Sequence, residues 1–537
     1  MLIGLDIGSS SAKALLVDME GRVRRAARRR FPTVRGPRGL VEHDAAALLR
    51  ATRAALDEAA AGAPIRGAAL GIATQRSTVV FWDRDSGRPL TAAWSWQDTR
   101  AARHCARVAR RHRGAADEIA TRTGLRLSPH YAGPKLALML RRHAGLRRAV
   151  RSGRALWGTL GTYLAWHLTA GAIYALDHAN AQRTLLFRLD DLAWDPELFA
   201  LLGAEDLLDA PVLPALVPVR WESGVETRAA GRILRLGAVT GDQQAALDGL
   251  RCRRAGDIAI NYGSGAFVLI RTGGRPARVP GLLTTLVESR HRPGGGSPGQ
   301  GGCTASYAVE GTVNAAATAL DWVQRRTRVR VPTAALDAYL DGALGPAPGA
   351  AARRLHFLPA VSGTGAPRWD PDARSRFVGE DLRTAPAVRL AAAVESIAQR
   401  CAEIVRAAER GGALPAAGSG RTMVRVSGGL IRCRRLVQMQ ADLLQRPIAV
   451  GAVPDATALG VARLAAPVGA LSGLSGAAPR AITGRGATAG RGTTAGRGAT
   501  AEVGDIVVTP RISRRAATGL WQAWERAVYG RAAGGDR

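Results

Sequence analysis

The first turn of the chain carries the groups that phosphate chemistry needs. The apolar stretch LIGLD ends in Asp6, and small residues, hydroxyls and one cation follow at Ser9, Ser10, Ser11 and Lys13. A phosphate-binding turn requires exposed backbone N–H groups, small side chains and donors. A neighbouring aspartate can hold Mg²⁺, usually through water. These residues indicate a triphosphate loop with Asp6 at the metal, although a plain β-hairpin gives the same local pattern.

A second turn of this kind occurs in the other half of the chain. Gly263 and Ser264 stand between the apolar stretches DIAIN and AFVLI. Such turns are common singly, but one in each half predicts a pair that faces a single nucleotide. The chain has neither a Walker A lysine motif nor the HRD and DFG motifs of protein kinases. We therefore expect actin-like nucleotide binding, in which glycine hairpins replace the P-loop.

Two further motifs could serve a hydroxyl-bearing substrate. Asp242 is followed by the amide of Gln243, an order that suits a general base beside a substrate clamp, or equally an Asx turn or helix cap. Arg76 follows an apolar stretch, and Trp96 lies in the motif WSWQD. Arginine donates to hydroxyls and an indole covers a carbon skeleton, although a surface arginine and a core tryptophan are the plainer interpretations.

The elements that must position these residues form a repeating α/β pattern. A single core rarely exceeds about 250–300 residues, so 537 residues predict two domains. Strand–turn–strand patterns open both halves, and we place the domains at residues 1–248 and 249–530. Residues 484–501 repeat a Gly-Arg-rich hexad and form a low-complexity insertion. Helices are predicted at 43–61, 312–325, 385–411, 430–445 and about 520–529.

Composition limits the partners and the compartment. The formal charge is +32, but the arginines are spread over most of the chain and their clusters lack interleaved aromatics, so we predict no nucleic-acid partner. No stretch approaches the ~20 apolar residues of a membrane helix. Five scattered cysteines and the absence of a secretory pattern indicate a reducing, cytoplasmic location. The sequence leaves open whether the protein forms a homo-oligomer.

Several long strings give the chain a family resemblance. LIGLDIGSSSAK, ATQRSTVVFWDRDSGRPL, GDQQAALDG, NYGSGAFVLIRTG, AVEGTV and VSGGLIRCRRLVQMQADLL occur in this order. Over residues 1 to about 465 and again over 504–530, the chain resembles the FGGY carbohydrate kinases, and in particular their glycerol kinase branch. The resemblance implies two actin-like, ribonuclease H-like domains around a cleft, with ATP and Mg²⁺ as cofactors. It also implies phosphorylation of a primary hydroxyl of a small polyol or sugar, with glycerol as the first expectation.

The resemblance also implies roles for individual residues. Asp242 stands in the place of the catalytic base, and Asp6 and Asp242 are the expected metal ligands. The expected substrate contacts are Arg76, Ser77, Trp96, His130, Tyr131, Asp242, Gln243 and Phe267. The expected ATP contacts are Ser9, Ser10, Ser11, Lys13, Gly263, Ser264, Ala317, Gly428, Gly429 and Cys433.

Four of these positions depart from the family pattern. Ser77 replaces a glutamate and His130 a tyrosine on the substrate side, with Tyr131 adjacent. Ala317 replaces a glycine and Cys433 an asparagine on the nucleotide side. The departures keep two alternatives open. One is a kinase for another polyol or a ketose, and the other is a degenerate kinase that acts as a nucleotide-dependent binding protein.

Overall fold

The computed structural model describes residues 1–63, 65, 67–209, 212–229, 232–291, 302–345, 355–415, 422–451, 455–467 and 506–530. The predicted hexad insertion at 484–501 lies outside these residues. Among the described residues, no helix joins the length and the apolar character that crossing a bilayer requires.

The first half of the chain is a mixed α/β region. Its strands are β1 Leu2–Ile7, β2 Ser11–Val17, β3 Val23–Arg30, β4 Val34–Arg35, β5 Val41–His43, β6 Ala69–Thr74, β7 Val79–Asp83, β8 Ala93–Trp94, β9 Ala155–Thr159, β10 Ala175–Asp177, β11 Phe187–Arg188, β12 Ala193–Trp194, β13 Ala215–Val217, β14 Arg220–Ala229 and β15 Arg232–Gly241. Its helices are α1 Ala45–Ala60, α2 Ala102–Arg111, α3 Ala115–Thr123, α4 Ala132–Arg142, α5 Ala144–Arg151, α6 Leu160–Leu168, α7 His178–Gln182, α8 Pro196–Leu202 and α9 Asp242–Gly249.

A six-stranded sheet in the order β14-β15-β6-β1-β2-β3 organises this half. Strand β1 lies between β2, which is antiparallel, and β6, which is parallel. All six of its residues are buried, as expected for an apolar strand covered on both faces. The edge strand β3 is rich in exposed arginine, and charged edge residues discourage pairing with other chains. The predicted strand–turn–strand opening of the chain is confirmed by the antiparallel pairing of β1 with β2.

The second half is built around its own sheet. Its strands are β16 Ile258–Tyr262, β17 Ala266–Gly273, β18 Leu283–His291, β19 Cys303–Val313, β20 His356–Leu358, β21 Arg376–Val378, β22 Val424–Gly428, β23 Ile448–Val450 and β24 Ile506–Val508. Its helices are α10 Ala317–Thr327, α11 Leu336–Leu344, α12 Pro386–Arg410, α13 Arg434–Leu444, α14 Ala456–Ala465 and α15 Arg514–Tyr529.

The main sheet of this half has seven strands in the order β18-β19-β17-β16-β22-β23-β24. Strands β16 and β17 form an antiparallel hairpin around the second glycine turn, as β1 and β2 do around the first. The predicted helix at 312–325 begins later than expected. Strand β19 continues to Val313, and α10 starts at Ala317.

One helix of the second half lies on the sheet of the first. Helix α14 packs against α9, β1 and β6, and its backbone approaches theirs because glycines leave room for it. A Cβ atom on Gly4 would lie 1.9 Å from the Ala458 carbonyl oxygen, and one on Gly460 would lie 1.8 Å from the Ala245 carbonyl oxygen. We call this contact the glycine seam.

Replacement of Gly460 by alanine should open the glycine seam. We expect the free energy of unfolding to fall by about 1–3 kcal/mol, because the new methyl group must displace the backbone of α9. Gly519→Ala is the matched control, since Gly519 lies in α15 with no atom within 4 Å of an added Cβ. That variant should gain about 0.5–1 kcal/mol. Thermal unfolding of both variants tests the seam, and equal effects would contradict it.

Candidate active site

The first glycine turn presents a buried acid. Asp6 is the penultimate residue of β1 and lies opposite Lys13 in β2, and its Oδ2 lies 3.7 Å from the Lys13 Nζ. Burial raises the pKa of Asp6 to about 7, against the pull of the Lys13 ammonium and with a further push from Asp242 and Asp455. The two proposed metal ligands, Asp6 and Asp242, are therefore close enough for the charge of one to affect the other.

The three serines of this turn have different environments. The Ser9 Oγ accepts a hydrogen bond from the Trp96 indole at 3.1 Å and donates to the Gln75 side chain at 3.4 Å. Ser11 is buried and its Oγ accepts from the Arg28 guanidinium at 3.0 Å. Ser10 is the exposed member of the three. Ser9 therefore joins the expected phosphate loop to the expected substrate wall.

Lys13 has a partner that sequence reasoning missed. Its ammonium donates to the Asp455 Oδ1 at 2.6 Å, and Asp455 immediately precedes α14. Burial opposes the charge of Lys13, but the carboxylates of Asp6 and Asp455 outweigh it and raise the pKa of the ammonium. The two residues are 442 positions apart, so no local pattern could have paired them.

The proposed base begins a helix, as its sequence context allowed. Asp242 is the first residue of α9, and its Oδ1 accepts from the Gln243 N–H at 2.9 Å. The Arg76 Nε lies 3.7 Å from the same oxygen. Burial raises the pKa of Asp242 although Arg76 counteracts it. A carboxyl group with a raised pKa accepts protons more readily near neutral pH.

Arg76 also belongs to an ion network that connects the two halves. Its two terminal nitrogens donate to the two carboxylate oxygens of Glu310, each at 2.8 Å. Glu310 lies on β19, is 2% exposed, and also accepts from Arg183 at 2.5 Å and from Thr285 at 2.8 Å. Burial disfavours its charge, but Arg183 and Arg76 hold the pKa of Glu310 well below its usual range. The string AVEGTV contains Glu310, but sequence reasoning gave it no role.

Two aromatic side chains lie near Arg76. Its guanidinium carbon lies 5.9 Å from the centre of the Phe267 ring. Burial raises the pKa of the Tyr131 phenol, which also feels the charges of Arg183, Glu310 and Arg76. The structure thus brings Arg76, Asp242, Phe267 and Tyr131 together.

His130 and Trp96 form a second part of the wall. Their ring centres are 6.4 Å apart, and the His130 Nδ1 lies 3.0 Å from the Trp96 carbonyl oxygen. His130 is exposed, whereas Tyr131 is half-buried. Gln243, which follows Asp242 in the first turn of α9, is buried.

Ser77 is held away from an acceptor role. It is buried with a φ of 62°, a left-handed conformation that non-glycine residues seldom adopt. Its hydroxyl donates to the Arg183 carbonyl oxygen at 3.2 Å. The position therefore offers a neutral group that already has a backbone partner.

The second glycine turn is tied to the start of α10. The Gly263 N–H donates to the Gly265 carbonyl at 2.8 Å, and the Ser264 carbonyl accepts from the Ala316 N–H at 2.8 Å. The Ala317 N–H donates to the Gly263 carbonyl at 3.2 Å. Gly263 and Ser264 are exposed, so the turn is open to a ligand.

A third glycine turn lies beside the second. Gly428 pairs with Tyr262 in the sheet. Its φ is 97°, and a Cβ there would lie 2.2 Å from the Tyr262 carbonyl oxygen. Gly429 has open space at its Cβ position, as a nucleotide-facing residue requires. Cys433 differs, because it is buried and its thiol donates to Asp337 at 3.4 Å.

The acidic groups of this site suit Mg²⁺. No group of three or more metal-ligating side chains occurs among the described residues. Mg²⁺ is usually bound by one or two carboxylates together with phosphate oxygens and water. Asp6 is buried, Asp242 is half-buried, and the charge of Asp242 raises the pKa of Asp6. This pair fits that need.

Comparison with known proteins assigns the family. The N-terminal domain model of the FGGY family of carbohydrate kinases matches residues 1–232, and its C-terminal domain model matches residues 258–467. A glycerol kinase from Thermus brockianus is 38% identical over 470 residues, which cover 86% of this chain and 88% of that protein. A glycerol kinase from Alkalilimnicola ehrlichii is 35% identical over 539 residues, with coverages of 99% and 98%.

Solved structures agree on the fold. The Plasmodium falciparum glycerol kinase with ADP superposes with a TM-score of 0.80 at 22% identity, covering 98% of this chain and 97% of that one. The xylulose kinase from Rhodospirillum rubrum gives 0.74 at 22% identity, with the same coverages. The predicted fold of two actin-like α/β domains and the predicted kinase class are confirmed. The chain belongs to the FGGY family of carbohydrate kinases.

Proposed function

We propose that the protein transfers the γ-phosphoryl group of Mg·ATP to a primary hydroxyl of glycerol and forms glycerol 3-phosphate. The arrangement around Arg76 carries the proposal. This guanidinium lies 3.7 Å from the Asp242 carboxylate, 5.9 Å from the Phe267 ring centre and in a bidentate pair with Glu310. Arg76 therefore lies beside the proposed base Asp242 and the aromatic ring of Phe267, and its pair with Glu310 joins the two halves of the chain. The relatives named glycerol kinase support the choice of acceptor.

Asp242 accepts the proton of the attacking hydroxyl in this proposal. Phosphoryl transfer proceeds through a loose transition state, so positioning and charge stabilisation supply most of the catalysis. Arg76 and Gln243 orient the hydroxyls, while Trp96 and Phe267 cover the carbon skeleton.

The two glycine turns and Lys13 bind the phosphates. Their backbone N–H groups and the ammonium offset the negative charge of the transferred group. Asp6 and Asp242 would hold Mg²⁺, which supplies charge neutralisation at the phosphate oxygens when it is bound. We also propose a domain boundary near residue 248 and a cytoplasmic location.

An acceptor panel tests the proposal. The purified protein with Mg·ATP is offered glycerol, erythritol, xylitol, xylulose, ribulose and gluconate, and ADP release is measured in a coupled assay. We expect saturable turnover with glycerol and the highest kcat/KM for it. A higher kcat/KM for another acceptor would show that this compound, and not glycerol, is the preferred substrate. Absence of both turnover and Mg·ATP binding by calorimetry would contradict the kinase.

A second acceptor class has one observation in its favour. The Ser77 hydroxyl is neutral and is already directed to the Arg183 carbonyl, so this wall offers no carboxylate at the position and leaves more space. Serine is also smaller than the glutamate of the family pattern, so this position would admit a larger polyol or a ketose. Mg·ATP binding without turnover of any acceptor would instead support a nucleotide-dependent binding protein.

The affinity for Mg·ATP should rise with pH. Burial raises the pKa of Asp6 to about 7, so its ionised fraction grows from about 10% at pH 6 to about 90% at pH 8. We expect about a tenfold gain in affinity across this range, measured by calorimetry. Asp6→Asn should bind more weakly and lose this gain. The pH profile of Mg·ATP affinity in Asp6→Asn serves as the control, because it contains the titration of ATP itself. If the unchanged protein and Asp6→Asn show parallel profiles, the role of Asp6 is contradicted.

The same group sets a trend in the stability of the free protein. The folded pKa of Asp6 is about 7 against a model value of 3.8. The folded state therefore holds a proton that the unfolded state releases between these values. The contribution of Asp6 to stability falls as pH rises through this window, and Asp6→Asn should remove that fall.

A further inference from the structure

Lys135 is a buried cation with an unusual set of partners. It lies in α4 and is 0% exposed. Its ammonium donates to the carbonyl oxygens of Ser95 and His130, each at 2.8 Å, and of Ser77 at 3.1 Å. An ammonium has three N–H donors, so the three carbonyls use all of them. The mechanism described above gives this residue no part.

The three carbonyls belong to the three segments that carry the substrate wall. Ser77 follows Arg76, Ser95 precedes Trp96, and His130 precedes Tyr131. These segments come from different parts of the chain and have no common strand or helix. A single amino group thus joins the three segments whose side chains would surround the acceptor.

The charged neighbours of Lys135 have other partners. Asp98, the acid whose charge acts on Lys135, is fully buried and forms a salt bridge with Arg100 at 2.7 Å. Cys105, a buried thiol on α2, and the imidazole of His130 are further titratable neighbours. The ammonium therefore has carbonyl dipoles, and no direct carboxylate contact, as its hydrogen-bond partners.

The side-chain type also matters. Of the 75 lysines and arginines in the chain, only Lys13 and Lys135 are lysines. A planar guanidinium directs its donors within one plane, whereas an ammonium directs three donors as a tripod. Three carbonyls that converge from different segments require the tripod, so arginine cannot substitute here.

We propose that Lys135 is a positioning residue for the acceptor pocket: its ammonium holds the Ser77, Ser95 and His130 segments in register and thereby sets acceptor affinity without touching the acceptor. This inference rests on the proposed function. Displacement of a reacting group by about 1 Å can cost about 100-fold in rate. The second glycine turn lies outside the three segments, and the first meets them at the hydrogen bond from the Trp96 indole to Ser9. We therefore expect the loss to fall mainly on the acceptor and not on the nucleotide.

The test compares Lys135→Met with Met139→Ala. Met139 is a buried neighbour on the same helix that packs in the apolar core, so its variant reports simple loss of packing. We expect Lys135→Met to raise the acceptor KM at least tenfold while the KM for Mg·ATP stays within twofold. Lys135→Arg should also raise the acceptor KM, because a guanidinium cannot replace the three ammonium donors. Met139→Ala should lower thermal stability and leave both KM values near those of the unchanged protein.

Hydrogen exchange gives a readout that does not depend on activity. In Lys135→Met, peptides covering residues 76–78, 94–97 and 129–131 should exchange faster than in Met139→Ala, and peptides of the second glycine turn should not. Unchanged exchange in all three segments would overturn the inference whatever the protein phosphorylates. An equal rise of both KM values would also overturn it, whereas an inactive unchanged protein would count against the proposed function alone.

Discussion

Asp242→Asn should lower kcat by about 1,000-fold, the typical contribution of a positioned general base, while Mg·ATP still binds. Asparagine keeps the shape of the side chain but cannot take a proton from the attacking hydroxyl. Asp6, Lys13 and the glycine turns remain in place to bind the nucleotide. Initial rates at saturating glycerol and calorimetry with Mg·ATP measure the two quantities separately.

Asp248→Asn is the control for this change. Asp248 lies on the same helix, and its carboxylate pairs with Arg253 at 3.0 Å, away from the proposed pocket. We expect its kcat to stay within a few-fold of the unchanged protein. Retained turnover in Asp242→Asn would remove the assigned base, and equal losses in both variants would show that the effect comes from the helix.

Among the variants considered, Glu310→Gln should cause the largest fall in the free energy of unfolding. Its carboxylate is fully buried between Arg76 and Arg183, and removal of one partner from a buried ion network leaves charge without compensation. Such changes cost about 3–5 kcal/mol. Because both arginines belong to the first half and Glu310 to the second, the variant should also weaken the contact between the halves. Chemical denaturation at neutral pH measures the loss.

The pH dependence gives this prediction a second check. The folded pKa of Glu310 is depressed below its unfolded value near 4.5, so its contribution is present above that pH and decreases as pH falls below it. The difference between the unchanged protein and Glu310→Gln should therefore shrink from pH 5 to pH 3. Glu197→Gln, at an exposed pair with Arg122, should cost at most about 1 kcal/mol. A similar small cost for Glu310→Gln would contradict the network.

Local patterns were sufficient for much of the fold. The apolar strands on either side of each glycine turn predicted the β1–β2 and β16–β17 hairpins, because strand periodicity and turn residues act within a few positions. The helix predicted at 312–325 was misplaced at its start. Thr312 and Val313 continue the strand pairing of β19 with β17, and tertiary pairing outweighed local helix propensity there.

The ion network could not be predicted from local sequence. Arg76 and Glu310 are 234 positions apart, and Arg183 and Glu310 are 127 apart. Each is a single charge with no oppositely charged residue beside it in the sequence, and only the complete fold supplies its partner. The roles of the site residues stay predictions, but the motif positions placed Arg76, Asp242 and Phe267 in one expected pocket, and the structure brings them together.

The glycine seam has a consequence for synthesis on the ribosome. The last strand of the first sheet ends at Gly241, but the helix that covers this sheet ends at Ala465. At about 5–20 residues per second, the nascent first half waits roughly 10–45 s before its covering helix has been translated. Its apolar face is exposed to chaperones during this interval, and a fragment that stops near residue 250 should never bury it.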